Sequence, residues 1–181
     1  MTELVLNPLR LRVMHAVLDG MPFTTTELCE RLRDVSKATV YRQVAVLFKA
    51  GLLGVDSEER VRGAVERTYR LYPARTALDL ETIAAMTTDD HQRGFAAAIA
   101  ALLAEFDVYL EREGADPLAD SVSYRQFSIW LSDEEKSAFV DELTITLRAL
   151  MQNRPTPQRR RHMLSTILFP TDAPTGSSTQ P

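Results

Sequence analysis

Over residues 36–51, Val40, Val44, Leu47 and Gly51 recur at i, i+4, i+7 and i+11, the spacing of a single helix face. If that ridge is buried, a step of about 100° per residue points Ala38, Arg42 and Lys49 outward and puts Thr39, Tyr41 and Gln43 on the flanks. Such a face offers hydrogen bonds to a polyanion and to base edges. The Arg42 guanidinium is a planar fork that can donate two hydrogen bonds to guanine or grip a phosphate, and the Gln43 amide matches adenine. Small side chains at the start allow close approach, and Ser36, beside Lys37 and the helix N-terminal amides, suits a phosphate. Further on, the polar stretch 57–63 reads as a hairpin tip carrying Arg60 and Arg62, suited to lying along a nucleic-acid backbone or minor groove. Glu58 and Glu59 beside them dilute that charge. The expected DNA contacts are therefore Ser36, Lys37, Ala38, Thr39, Tyr41, Arg42, Gln43, Lys49, Arg60 and Arg62.

Other chemistry finds little support. No nucleophile elbow, phosphate loop, metal-binding helix or glycine-rich dinucleotide turn is present, and Asp133, Glu134 and Glu135 are explained by helix capping. The single cysteine, Cys29, has no partner for an internal disulfide and sits beside Leu28 and near Leu32, as a small core residue would. His15, His91 and His162 fall in different elements without metal-ligand spacing. We expect no enzyme activity, no metal and no cofactor. Phe95, Phe106, Tyr124 and Trp130 could line a pocket for an aromatic or lipophilic effector, or simply fill a core, and their spacing leaves both open. The run Arg159-Arg160-Arg161 reads as a solvated strand entrance.

The elements that would position these residues can be read in order. Asn7-Pro8 caps a first helix whose Leu9, Val13, Ala16 and Val17 repeat at helical spacing until Asp19-Gly20. Thr24-Thr25-Thr26 caps a short second helix with Leu28 and Leu32, and a tight turn leads to the helix begun by Ser36. Residues 52–56 and 65–72 are strand-like and flank the polar tip. Residues 88–113 form a long helix with the stripe Phe95, Ile99, Leu102, Leu103, Phe106 and Leu110. Residues 121–131 alternate as a strand with both faces at least partly covered. Ser132 then opens a helix to Met151 with Phe139, Leu143, Leu147 and Leu150 inward, and 162–169 reads as a last strand, an order that suits a small crossover unit with parallel strands or, equally, pairing with a partner chain.

The formal net charge of −4 conceals an uneven distribution. Residues 1–75 carry 12 basic and 9 acidic side chains, residues 76–157 carry 6 and 15, and residues 158–181 carry 3 and 1. The acidity thus lies outside the segment assigned to a polyanion. With no long apolar run and with acidic Glu3 near the start, the expectation is a cytoplasmic protein without membrane contact.

Three blocks resemble the winged-helix regulators of the ArsR family: 7–14 its opening helix, 26–28 the start of its second helix, and 36–53 its recognition helix running into the wing. The resemblance covers roughly 65 residues and implies a DNA-binding transcription regulator. Some relatives sense metal through paired cysteines in the second helix; here Cys29 is followed by Glu30 and Arg31, and that pair is missing. The resemblance does not explain the hundred or so residues that follow the wing.

The resulting expectation is an α+β chain with an N-terminal winged helix-turn-helix domain (1–75), then a long linking helix and a small C-terminal α/β domain (76–170) serving dimerisation or effector binding, then a disordered tail (171–181). Two copies would present paired helices to successive major grooves of an inverted repeat in double-stranded DNA. The alternative is a winged-helix protein-interaction or sensory module without DNA binding.

Overall fold

The computed structural model describes residues 7–61, 63–72 and 83–172. The expected disordered tail lies outside them from residue 173 on, and so does Arg62. The chain divides into two compact units, residues 1–128 and 129–181.

In the first unit each helix begins where a side chain can take up an orphan amide. Asn7 accepts from the Arg10 amide at 3.0 Å, and Pro8 occupies the first position of α1 (Pro8–His15). A two-residue strand, β1 (Phe23–Thr24), leads into α2 (Thr25–Arg31). Thr24 and Glu27 close a capping box there, at 3.1 and 2.8 Å. Five residues later α3 (Lys37–Lys49) starts at Ser36. It ends at Gly51, whose φ of +76° is costly for any residue with a Cβ; the Gly51 amide donates to the Phe48 carbonyl and the Leu52 amide to the Leu47 carbonyl.

The hairpin extends further than the hydrophobic pattern suggested. Strands β2 (Leu53–Val61) and β3 (Ala64–Leu71) pair antiparallel up to Val61 opposite Ala64, with a bulge between Val55 and Ser57. The stretch expected as a polar tip, 57–63, is therefore mostly strand. Strand pairing needs only backbone amides and carbonyls, so a charged sequence can carry it, and Gly63 at φ +86° supplies the reversal. The expected order also lacked β1, which pairs with β3 to give the sheet order β1-β3-β2.

One apolar core unites these elements. Val13, Val17, Phe23, Leu28, Leu32, Val40, Val44, Leu47, Leu53 and Leu71 are buried, joined by Cys29, as its neighbours implied. Burying each large side chain is worth roughly 1.5–3 kcal/mol, which is what holds α3 against α1, α2 and the sheet.

After the wing, α4 (Thr88–Leu110) opens with a capping box between Thr87 and Asp90 and packs against α1. Its buried face is not the expected stripe: Ala97 and Ala101 are buried, whereas Phe95, Ile99, Leu103 and Leu110 are exposed. Small side chains permit close helix approach, and of the expected stripe Leu102 and Phe106 are half-buried.

The second unit contains α5 (Asp133–Met151), capped by Ser132 and Glu135. Among the described residues the small α/β domain expected here shows no strands. Residues 121–131 and 162–169 form no strand ladder among the described residues. Nor is the apolar side of α5 turned inward: Phe139 and Leu150 are exposed, Leu143 and Leu147 are half-buried, and none of its residues is buried. Alternation defines the two faces of a strand but cannot supply the neighbouring backbone on which a strand depends. The fold remains α+β, a winged helix followed by helices.

Candidate nucleic-acid interface

The core presents α3 to solvent along one side. Val40, Val44 and Leu47 are at most 3% exposed, while Lys37, Ala38, Tyr41, Arg42, Ala45 and Lys49 are exposed and Thr39 is half-buried. This is the orientation the apolar ridge implied. At the start of the helix Ser36 caps the Thr39 amide at 3.4 Å, and the two hydroxyls lie 2.8 Å apart. Ser36 is exposed, so the first turn of α3 faces outward.

Gln43 must be corrected. Expected on the outer flank as an adenine reader, it is 5% exposed, and its Oε1 accepts from Arg10 Nε at 3.2 Å. The helix geometry explains the placement: one residue before Val44 and three after Val40, position 43 sits at the margin of the buried ridge. There Arg10 of α1 covers it. An amide engaged in this way supports the seating of α3 on α1 and is not free to enter a groove.

In the wing, Arg60 is exposed and lies opposite Val65. The nearby acids are largely spoken for by the next strand: Arg67 Nε donates to Glu58 at 2.7 Å and Arg70 Nε to Asp56 at 2.7 Å. The hydrogen bond from Arg70 holds the Asp56 carboxyl below its ordinary pKa. Arg70 also donates to the Gly20 carbonyl at 3.2 Å, tying the hairpin to the loop after α1. Glu59 and Glu66 face each other across the ladder, a like-charge pair.

Two arginines escaped the pattern reading because neither lies on the apolar ridge used to orient the helices. Arg33, in the turn between α2 and α3, lines an open depression with Thr26, Glu30, Lys37 and Tyr41, and its Nε donates to the Glu30 carbonyl at 3.1 Å. It adds a cation beside the start of α3. Arg12 on α1 is only 6% exposed; its Nη1 and Nη2 donate to Asp34 at 2.6 and 3.0 Å and its Nε to Glu105 of α4 at 3.1 Å. One guanidinium thus joins α1, the turn that precedes α3, and the long helix.

Residues 5–56 match the family model of a helix-turn-helix domain. The matched span covers α1 to α3 and the first residues of β2, so the helices α2 and α3 with the turn between them are the motif that gives the domain its name. No curated protein matches the chain. In this helix-turn-helix domain α3 takes the place of the second helix, the one whose width fits a major groove.

The four aromatics of the expected effector pocket are divided between the two units, Phe95, Phe106 and Tyr124 in the first and Trp130 in the second. Trp130 is 89%, Tyr124 84% and Phe95 50% exposed, and only Phe106 is partly covered, stacked on Tyr109 at 5.8 Å. A binding pocket has to remove most of its lining from water, and aromatics exposed to this degree do not. Among the described residues no group of three or more His, Cys, Asp or Glu is placed to hold a metal ion, and no helix is long and apolar enough to cross a membrane.

Proposed function

We propose that the chain is a sequence-specific DNA-binding transcription regulator of ArsR-like type, two copies of which read an inverted repeat through α3 and the wing. The observation that carries this is the division of α3: a ridge sealed into the core on one side and Lys37, Arg42 and Lys49 exposed on the other. Arg42 is the base-reading residue, Lys37, Arg33 and Lys49 contact phosphates, Ser36 and Thr39 approach the backbone, and Arg60 lies along it from the wing. Gln43 acts as a support from behind. The role is one of binding without catalysis, exercised on cytoplasmic DNA. No effector is assigned to Phe95, Phe106, Tyr124 or Trp130.

A second reading, a winged-helix interaction module that does not bind DNA, draws on the wing, where Glu59 and Glu66 place like charge against the expected phosphate path. Selection of genomic fragments followed by a competition shift assay separates the two. The regulator enriches a shared inverted repeat and binds it with an affinity that falls steeply with salt. Absence of enrichment, with salt-insensitive binding, would leave only the interaction module.

A further inference from the structure

We propose that Glu105 of α4 is a positioning residue for DNA binding, orienting the Arg12 guanidinium that anchors Asp34 and thereby setting how the start of α3 meets a phosphate backbone. The proposal rests on the DNA reading above and adds to it a control exerted by the long helix.

The sequence places Glu105 where it can reach Arg12. Ala97, Ala101 and Glu105 follow one another at intervals of four along one face of α4. The two alanines are buried, and their small side chains let α4 lie close against α1. One turn further on, Glu105 Oε1 accepts from Arg12 Nε at 3.1 Å.

The contacts of Arg12 with Glu105 and Asp34 are not independent. Its guanidinium is planar, so holding Nε toward Glu105 also fixes where Nη1 and Nη2 point, and both of these donate to Asp34, at 2.6 and 3.0 Å. With Arg12 only 6% exposed, water does not readily replace a lost acceptor. An unpaired buried donor is costly, so loss of the Glu105 carboxylate turns the guanidinium toward another acceptor and loosens its hold on Asp34.

At Asp34 that loosening acts on the outward side in two ways. Residues 33–36 lie between α2 and α3, where the Val35 amide donates to the Leu32 carbonyl at 3.0 Å and the Asp34 carboxylate ties the turn to α1. Slackening the tie shifts Arg33, Ser36 and Lys37, the exposed group assigned above to phosphates and backbone. The carboxylate, 36% exposed even when paired, is also left without its cation between Arg33 and Lys37, where it repels the same phosphates. The middle of α3 is held differently: Arg10 Nε donates to Gln43 at 3.2 Å, a contact that does not involve α4. The control from Glu105 is thus confined to the first turn of α3.

The test combines operator titrations with residue-resolved hydrogen exchange on the full chain. Glu105→Ala should lower operator affinity about 3- to 30-fold. It should speed exchange at the Val35, Thr39 and Val40 amides, while Ala50 and Gly51 at the far end of α3 keep their rates. Glu105→Gln should recover most of the affinity, since an amide oxygen already accepts from an arginine Nε at Gln43. In an Asp34→Ala background, Glu105→Ala should change affinity no further. Thr87→Ala, which removes the capping box at the other end of α4, should lower stability and leave affinity and first-turn exchange as in the wild type. Where Glu105→Ala is too unstable to titrate, Glu105→Asp, shorter by one methylene, gives the same readouts. A Glu105→Ala protein that loses stability but keeps wild-type affinity and exchange overturns the proposal. So does an equal loss of affinity from Thr87→Ala, or losses that add in the Asp34→Ala background. A wild type that binds no duplex removes the DNA reading by itself; exchange at Val35, Thr39 and Val40 then decides the link, faster in Glu105→Ala upholding it and unchanged overturning it.

Discussion

Arg12 and Asp34 form a two-pronged ion pair, 2.6 and 3.0 Å long, between the first helix and the turn that precedes α3. Asp34 stands two residues before the Ser36 cap, so this pair fixes where the outward-facing helix begins. Arg12 is almost wholly buried, with Glu105 of α4 as its other acceptor. The pair therefore links the long helix to the outward-facing one through a single guanidinium. We predict that Asp34→Asn destabilises the domain by about 2 kcal/mol. That is below the roughly 3–5 kcal/mol for breaking a fully buried pair, because Asp34 is partly exposed and Glu105 remains. Urea denaturation measures it, and an unchanged midpoint would show that the pair carries no net stability.

The same pair sets a pH dependence. The hydrogen bond from Arg12 outweighs partial burial and holds the Asp34 pKa below its ordinary value. A carboxyl whose folded pKa is depressed contributes stability above its unfolded pKa of about 3.9 and loses it as pH falls through the folded value. The gap in stability between wild type and Asp34→Asn should thus be constant near neutrality and close below about pH 4. A gap that closed between pH 5 and 7 would point to another group.

Gln43 separates a support role from a reading role. Because its side chain is buried and accepts from Arg10, Gln43→Ala should cost on the order of 1–2 kcal/mol of stability through the lost hydrogen bond and lost packing. DNA affinity should fall evenly over operator variants in a shift assay. Loss of preference at a single A·T pair would return Gln43 to the groove.

What could be read in the sequence was whatever local physics decides. Asn7, Thr24, Ser36 and Ser132 each cap a helix as their side chains imply, and Val40, Val44 and Leu47 fall on the core side of α3. What could not be read depends on neighbours distant in sequence. Arg12 reads as a surface cation until Asp34 and Glu105 are beside it, and Gln43 reads as exposed until Arg10 covers it. The alternation of 121–131 describes two faces and says nothing of the strand beside them. On α4, the large apolar residues drew attention away from Ala97 and Ala101, although small side chains are what let two helices approach.

On α3 the exposed cations should divide by role. Arg42→Ala is predicted to cost on the order of 1–3 kcal/mol and to relax preference at one base position, whereas Lys49→Ala should weaken all sequences alike and reduce the salt slope by about 1. Titrations of an operator and its single-base variants at several salt concentrations resolve the two patterns. If both variants behave like Lys49→Ala, then α3 touches only backbone and specificity must come from elsewhere.

The wing gives a gain-of-function test. Glu66 lies directly opposite Glu59, and like charges facing across an antiparallel ladder repel. Glu66→Lys turns that repulsion into attraction and should stabilise the hairpin by about 0.2–1 kcal/mol. It also adds a cation on the strand that faces Arg60 across the hairpin. If the wing follows a phosphate backbone, affinity for any duplex should rise and its salt dependence steepen, with no change in the preferred sequence. If Glu66→Lys stabilises the fold but leaves DNA affinity untouched at low salt, the hairpin does not approach the duplex and contact is confined to α3.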